Sequence, residues 1–137
     1  MKRFTSDRYL KISYLIGGIY DILLGISVLF LADITSEFLD VPKPDPLIMS
    51  QIIGVFLIVV GYFLIVATYD ISKFIFIGAG SCIVRFSYAF LTVIAWNNND
   101  VEAAYLFLAS TDLVTGLLLL IPLLMTEGVS WKDLWPF

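Results

Sequence analysis

The run QIIGVFLIVVGYFLIVA, residues 51–67, carries no charged side chain and no proline. It is longer than the roughly 9–11 residues that a strand needs to cross a membrane. A backbone in lipid must satisfy its own hydrogen bonds, which leaves helices or a closed barrel. Residues 51–67 therefore read as a membrane-crossing helix, which needs about 20 apolar residues at 1.5 Å rise each. Working outward, four such windows appear, at roughly 9–32, 47–69, 73–96 and 103–125. Of the 137 residues, 60% are hydrophobic, and the mean hydropathy is +0.95. An ordinary soluble domain of this size carries fewer apolar side chains. The windows take up most of the chain and leave no room for a separate soluble domain. The expected fold class is an all-α integral membrane protein, an antiparallel four-helix transmembrane bundle formed as one domain over 1–137.

The start, MKRFTSDRYLKISYLIGG, places basic residues ahead of an apolar run. That run is too long for a signal peptide, and no small-x-small cleavage site ends it, so a retained first span is expected. Flanking Lys and Arg set orientation. Lys2, Arg3, Arg8 and Lys11 precede the first span, Lys73 lies between the second and third, and Lys132 follows the fourth. Lys43 stands on the opposite side. Both termini are therefore expected in the cytoplasm, in a prokaryotic plasma membrane. The net charge of −4 argues against nucleic-acid binding. With no histidine, a histidine-ligated haem or metal site is excluded from this chain. The single cysteine, Cys82, cannot form an internal disulfide.

The connection DITSEFLDVPKPDP, residues 33–46, is acidic and holds three prolines, which stop any helix running through Phe38 and Leu39. Its SEFL segment suits a short amphipathic turn at the outer surface, and Pro46 suits the first position of the second span. Residues 69–73, YDISK, form a turn so tight that the spans beside it must be antiparallel neighbours, with Asp70 and Lys73 capping helix ends. In WNNNDVE, Asn99 or Asp100 is suited to cap the fourth span, with Glu102 in its first turn. Pro122 is expected to kink the fourth span near its end. Trp96, Trp131 and Trp135 fit the headgroup level.

Three charges remain inside the windows: Asp21, Arg85 and Asp112. A charge at mid-membrane is expensive unless it is paired, wetted or enclosed by protein. Asp21 and Arg85 fall about twelve residues into their windows and Asp112 about nine, so at 1.5 Å per residue all three approach one level. Helical spacing places them on polar or small-residue stripes. Gly17, Gly18, Asp21, Gly25 and Val28 share one face, and Gln51, Gly54, Ile58, Gly61, Ile65 and Thr68 another. Gly78, Ser81, Arg85, Tyr88 and Thr92 form the third. The fourth runs through Tyr105, Leu108 or Ala109, Asp112, Thr115 or Gly116, and Leu119. Small residues let helices approach and polar ones bond across them. A buried Asp–Arg–Asp cluster is expected, with Gln51, Ser81, Tyr88, Tyr105 and Thr115 as pocket lining. The aromatics Tyr14, Tyr20, Phe86, Tyr88, Phe90 and Tyr105 are placed to surround a flat ligand.

The function stays open between classes. The cluster suits a small acidic or lipidic ligand, because one Asp–Arg pair already locks a bundle and the third charge is surplus. The chain equally suits a subunit of a larger membrane complex. A proton-coupled transporter acting as a homo-oligomer is a further class, although Arg85 opposes a cationic substrate. A lipid- or quinone-directed enzyme is another, with Asp21 and Asp112 doing acid–base work around Arg85. No HExxH, GxSxG, CxxC or phosphate-loop motif is present. Membrane lipids are the expected surroundings, a homodimer or larger complex the expected assembly, and no cofactor is called for.

The segments GGIYDILLG, QIIGVFLIVVGYFLIVA, GAGSCIVRFSYAF and STDLVTGLLLL resemble small four-helix membrane proteins of the DoxX-like type and related families. The resemblance implies a compact bundle with a polar residue in the first helix, a base in the third and an acid in the fourth, here Asp21, Arg85 and Asp112. Some DoxX-like proteins are associated with quinone-linked sulfur oxidation. A quinone would need Arg85 or Tyr88 to hydrogen-bond a ring carbonyl.

Overall fold

The computed structural model of the chain describes residues 2–40, 42–43 and 47–125. The expected roles of Pro44, Pro46, Trp131, Lys132 and Trp135 lie outside the described residues, as do the side chains of Lys2 and Arg3. Five helices follow one another: α1 (Lys2–Phe30), α2 (Ala32–Leu39), α3 (Leu47–Ala67), α4 (Ile71–Asn97) and α5 (Ala104–Met125). Four of them, α1 over Arg8–Phe30, α3, α4 and α5, are long and apolar enough to cross a membrane. No strand occurs among the described residues.

α1 starts earlier than its apolar window, because no glycine or proline interrupts residues 2–16. α2 is a full eight-residue helix where only a short turn was expected. Asp33 in its first turn complements the helix dipole. It ends at Asp40, which adopts a left-handed conformation (φ 52°) and donates its N–H to the Glu37 and Ser36 carbonyls. Ile34 and Phe38, one turn apart on α2, are both exposed. Asp70 caps α4, its carboxylate accepting the Lys73 N–H at 3.2 Å. The expected cap of the last span by Asn99 or Asp100 does not form. Asn99 instead takes the left-handed conformation (φ 60°) that asparagine tolerates, just after α4 ends. α5 begins only at Ala104, so Glu102 precedes its first turn. The departure from helical geometry within α4 falls at Phe74 (φ −111°, ψ 20°), a position with no glycine or proline to signal it. Pro122 lies inside α5.

α1 packs most extensively on α3, and α4 on α5. The first of these interfaces is built on four glycines. A Cβ on Gly61 would stand 2.5 Å from the Gly18 carbonyl oxygen, and one on Gly25 2.6 Å from that of Gly54. No side chain fits there, so the two backbones touch directly. Smaller interfaces join α1 to α5 and α3 to α4. The core gathers at the end of the bundle nearest the α3–α4 turn, from Leu10, Tyr14, Leu64, Ala67, Ile71, Ile75, Ala79, Cys82, Leu119 and Leu123. Tyr14 is fully buried and donates its hydroxyl to the Ile75 carbonyl at 3.1 Å. Its ring occupies the space a side chain at Gly78 would need. Large apolar residues such as Leu23, Phe90 and Leu124 point outward instead, the arrangement expected where hydrocarbon rather than water surrounds the helices.

Candidate functional site

Arg85 is the centre of the polar cluster. It sits on α4 one turn beyond Ser81 and is buried. Its Nη2 donates to Asp21 Oδ1 on α1 at 2.6 Å, and its Nη1 donates to Asp112 Oδ1 on α5 at 2.8 Å. Nη1 also donates to the Thr115 hydroxyl at 2.8 Å, and Nε donates to the Ser81 hydroxyl at 3.3 Å. The Thr115 hydroxyl spends its own proton on the Thr111 and Asp112 carbonyls, at 2.8 and 3.1 Å, leaving its oxygen free to accept. The Tyr20 ring lies 5.4 Å from the guanidinium carbon, within cation–π reach. The Thr111 hydroxyl donates to the Leu108 carbonyl at 2.7 Å, so at its 2.8 Å contact with Tyr20 the phenol is the donor. Three helices are thus tied to one side chain, whose planar fork matches carboxylates at fixed angles.

Each carboxylate reaches the guanidinium through Oδ1. Among the described residues, neither Oδ2 receives a hydrogen bond, and no fully enclosed side-chain oxygen or nitrogen lacks a partner. The second oxygens therefore border open space. Asp21 and Asp112, with Ser81 and Arg85, line a cavity of about 340 Å³. Leu24 and Val28 of α1, Ile53, Phe56, Leu57 and Val60 of α3, Val84 and Tyr88 of α4, and Leu108 of α5 form its walls. Apart from Val60 and the central Leu57 and Val84, these wall residues lie in the helix halves that lead to α2 and to the 98–103 connection. The packed core occupies the other halves. Arg85 and its partners stand at the boundary, a charged floor beneath an apolar chamber. Ile53, Phe56 and Val84 are each more than half exposed, so the chamber opens sideways between α3 and α4. Those helices share a tight turn at the packed end but only a small interface.

Asp21, Arg85, Asp112, Ser81 and Thr115 are brought into one hydrogen-bonded group. Tyr88 lines the cavity above it. Gln51, Tyr105 and Thr115 are not among the lining residues. The glycine stripe that carries Gln51 faces α1, while the α3 wall runs along the adjacent face through Ile53, Phe56, Leu57 and Val60. Those four recur at i, i+3, i+4 and i+7, but in a helix apolar all round that spacing marks no face. Of the six aromatics expected around a flat ligand, only Tyr88 borders this cavity. Phe86 and Phe90 instead line an outward groove of about 440 Å³ between α4 and α5. Tyr20 and Thr111 escaped the stripe analysis. Tyr20 lies one residue off the Asp21 face, and Thr111 one residue from Asp112.

Among the described residues, no group of three or more His, Cys, Asp or Glu side chains is placed to hold a metal ion. Comparison with protein-family models, with curated proteins and with solved structures gave no match to this chain.

Proposed function

We propose that the protein is an integral membrane protein that takes a lipidic ligand into the chamber between α3 and α4. The single observation that carries this is the chamber itself: about 340 Å³, walled by apolar side chains, floored by Asp21, Arg85 and Asp112, and open at the side where lipid would lie. Its size falls in the range of small-molecule sites, which pair apolar walls with a few placed polar groups. An amphiphile matches that polarity, its chain along Leu57, Val60 and Val84 and its head at the floor. Below the floor, Tyr14, Leu64 and Leu119 are packed without exposure, which favours a site entered from one side over a path through the bundle.

The chamber predicts selective labelling. A dodecyl alcohol bearing a diazirine, photolysed with the protein in phosphatidylcholine nanodiscs, should attach mainly to Leu57, Val60, Val84 and Leu108. Val60→Trp, which fills the chamber, should abolish that labelling. Equal labelling of outward residues such as Leu23 and Phe90 would show ordinary lipid contact and remove the basis for a site.

The proposed bundle is antiparallel with both termini cytoplasmic. Support comes from the seam, where Gly18 meets Gly61 and Gly25 meets Gly54 in opposite chain order, and from the basic residues before α1 and at Lys73. Cys82 is buried, so thiol labelling of intact cells reports on introduced cysteines. Glu37→Cys should react with a membrane-impermeant maleimide and Lys73→Cys should react only after lysis. The reverse pattern would invert the topology.

A further inference from the structure

We propose that the chamber selects an amphiphile with a cationic ammonium head, a statement that rests on the lipidic site above and names its head group. An arginine deep in a membrane protein first suggests an anionic partner, but the geometry assigns four of its five N–H donors elsewhere. Nη2 is turned to Asp21, Nη1 to Asp112 and Thr115, and Nε to Ser81. A visiting anion would find at most the second Nη2 proton, beside two carboxylates that the guanidinium already holds at 2.6 and 2.8 Å.

Both carboxylate residues line the chamber, beside Arg85 and Ser81. Asp21 is buried, and its side chain and that of Asp112 spend one oxygen each on Arg85. Their Oδ2 atoms accept from no donor among the described residues and are not fully enclosed, and both residues line the cavity. Formally the floor sets two acids against one base, an excess of one negative charge. In a low-dielectric chamber that excess draws a positive partner far more strongly than it would in water. Phe56 of α3 and Tyr88 of α4 add aromatic rings of the kind that attract ammonium groups. The remaining walls are hydrocarbon and suit an alkyl chain.

The test repeats the photolabelling in nanodiscs with one of three unlabelled competitors of one chain length present before photolysis: dodecyltrimethylammonium, dodecan-1-ol or dodecanoate. The ammonium should displace the label from Leu57, Val60 and Val84 at a concentration at least about tenfold lower than either of the others. Asp112→Asn should bring the ammonium toward the alcohol. Because Asp112 also holds Arg85, a second variant away from the floor is needed: Phe56→Leu should weaken competition by the ammonium severalfold more than it weakens competition by the alcohol. Chamber labelling that all three heads displace equally, or that dodecanoate displaces best, would overturn the ammonium head and leave the lipidic site standing. A label that never concentrates in the chamber would overturn both.

Discussion

Arg85→Leu is expected to lower stability by about 3–5 kcal/mol, the usual cost of removing one partner from a buried ion pair. Two carboxylates lose their common cation at once. The Asp21 side chain is 4% exposed and that of Asp112 17%, so water does little to replace it. Loss of hydrogen bonds alone would cost less, since single interhelical bonds in membranes average about 0.6 kcal/mol. The stranded charge is what decides the magnitude. Arg85→Lys should fall between, because one ammonium cannot reproduce the fork that serves α1 and α5 together. A triple change, Asp21→Leu with Arg85→Met and Asp112→Leu, removes every charge and should unfold within about 1–2 kcal/mol of the native chain, or more stably. Reversible unfolding in mixed micelles, followed by circular dichroism, measures all three. A native midpoint for Arg85→Leu would mean that the floor is wetter than its burial implies.

Gly61→Val should cost about 3 kcal/mol or more, at the upper end of what over-packing usually costs. The new side chain would enter space held by the Gly18 carbonyl and by the Ile22 backbone and side chain. Backbone atoms cannot turn aside as a rotamer does, so α1 and α3 must separate along their length. Gly80→Ala is the matching control. Nothing lies within 4 Å of a Cβ at Gly80, so the change should be neutral or stabilising by up to about 1 kcal/mol through helix propensity. Equal midpoints for the two variants would show that the seam is looser than its contacts require.

Much of this arrangement is legible in the residues, and the limits have physical causes. Asp21, Arg85 and Asp112 announce themselves because charge contrasts with everything around it, and helical spacing plus depth carries them to one level. The glycines of α1 and α3 likewise mark a stripe. The chamber walls do not, since Ile53, Phe56, Leu57 and Val60 resemble residues that face lipid. Hydrophobicity cannot separate inside from outside when the solvent is itself apolar. The allocation of the Arg85 donors was also partly hidden. The pairing with Asp21 and Asp112 is legible as a cluster, but the donation of Nε to Ser81 and of Nη1 to Thr115 as well shows only in the geometry. At helix ends, Asn99 could serve either neighbouring helix, and only the backbone conformation resolves which.

The three members of the floor are far apart along the chain, and this has a consequence for how the protein is made. Asp21 is synthesised 64 residues before Arg85, and Asp112 follows Arg85 by 27. A lone aspartate at the centre of an inserting helix costs about 2.5–3.5 kcal/mol, so α1 carries that burden while its counter-ion is still to come. The glycine seam joins α1 to α3 without any residue of α4, and it gives α1 a partner during the interval. Arg85 neutralises Asp21 once α4 arrives, but its second carboxylate comes only when α5 has emerged, which makes the charged floor the last joint of the bundle to be completed.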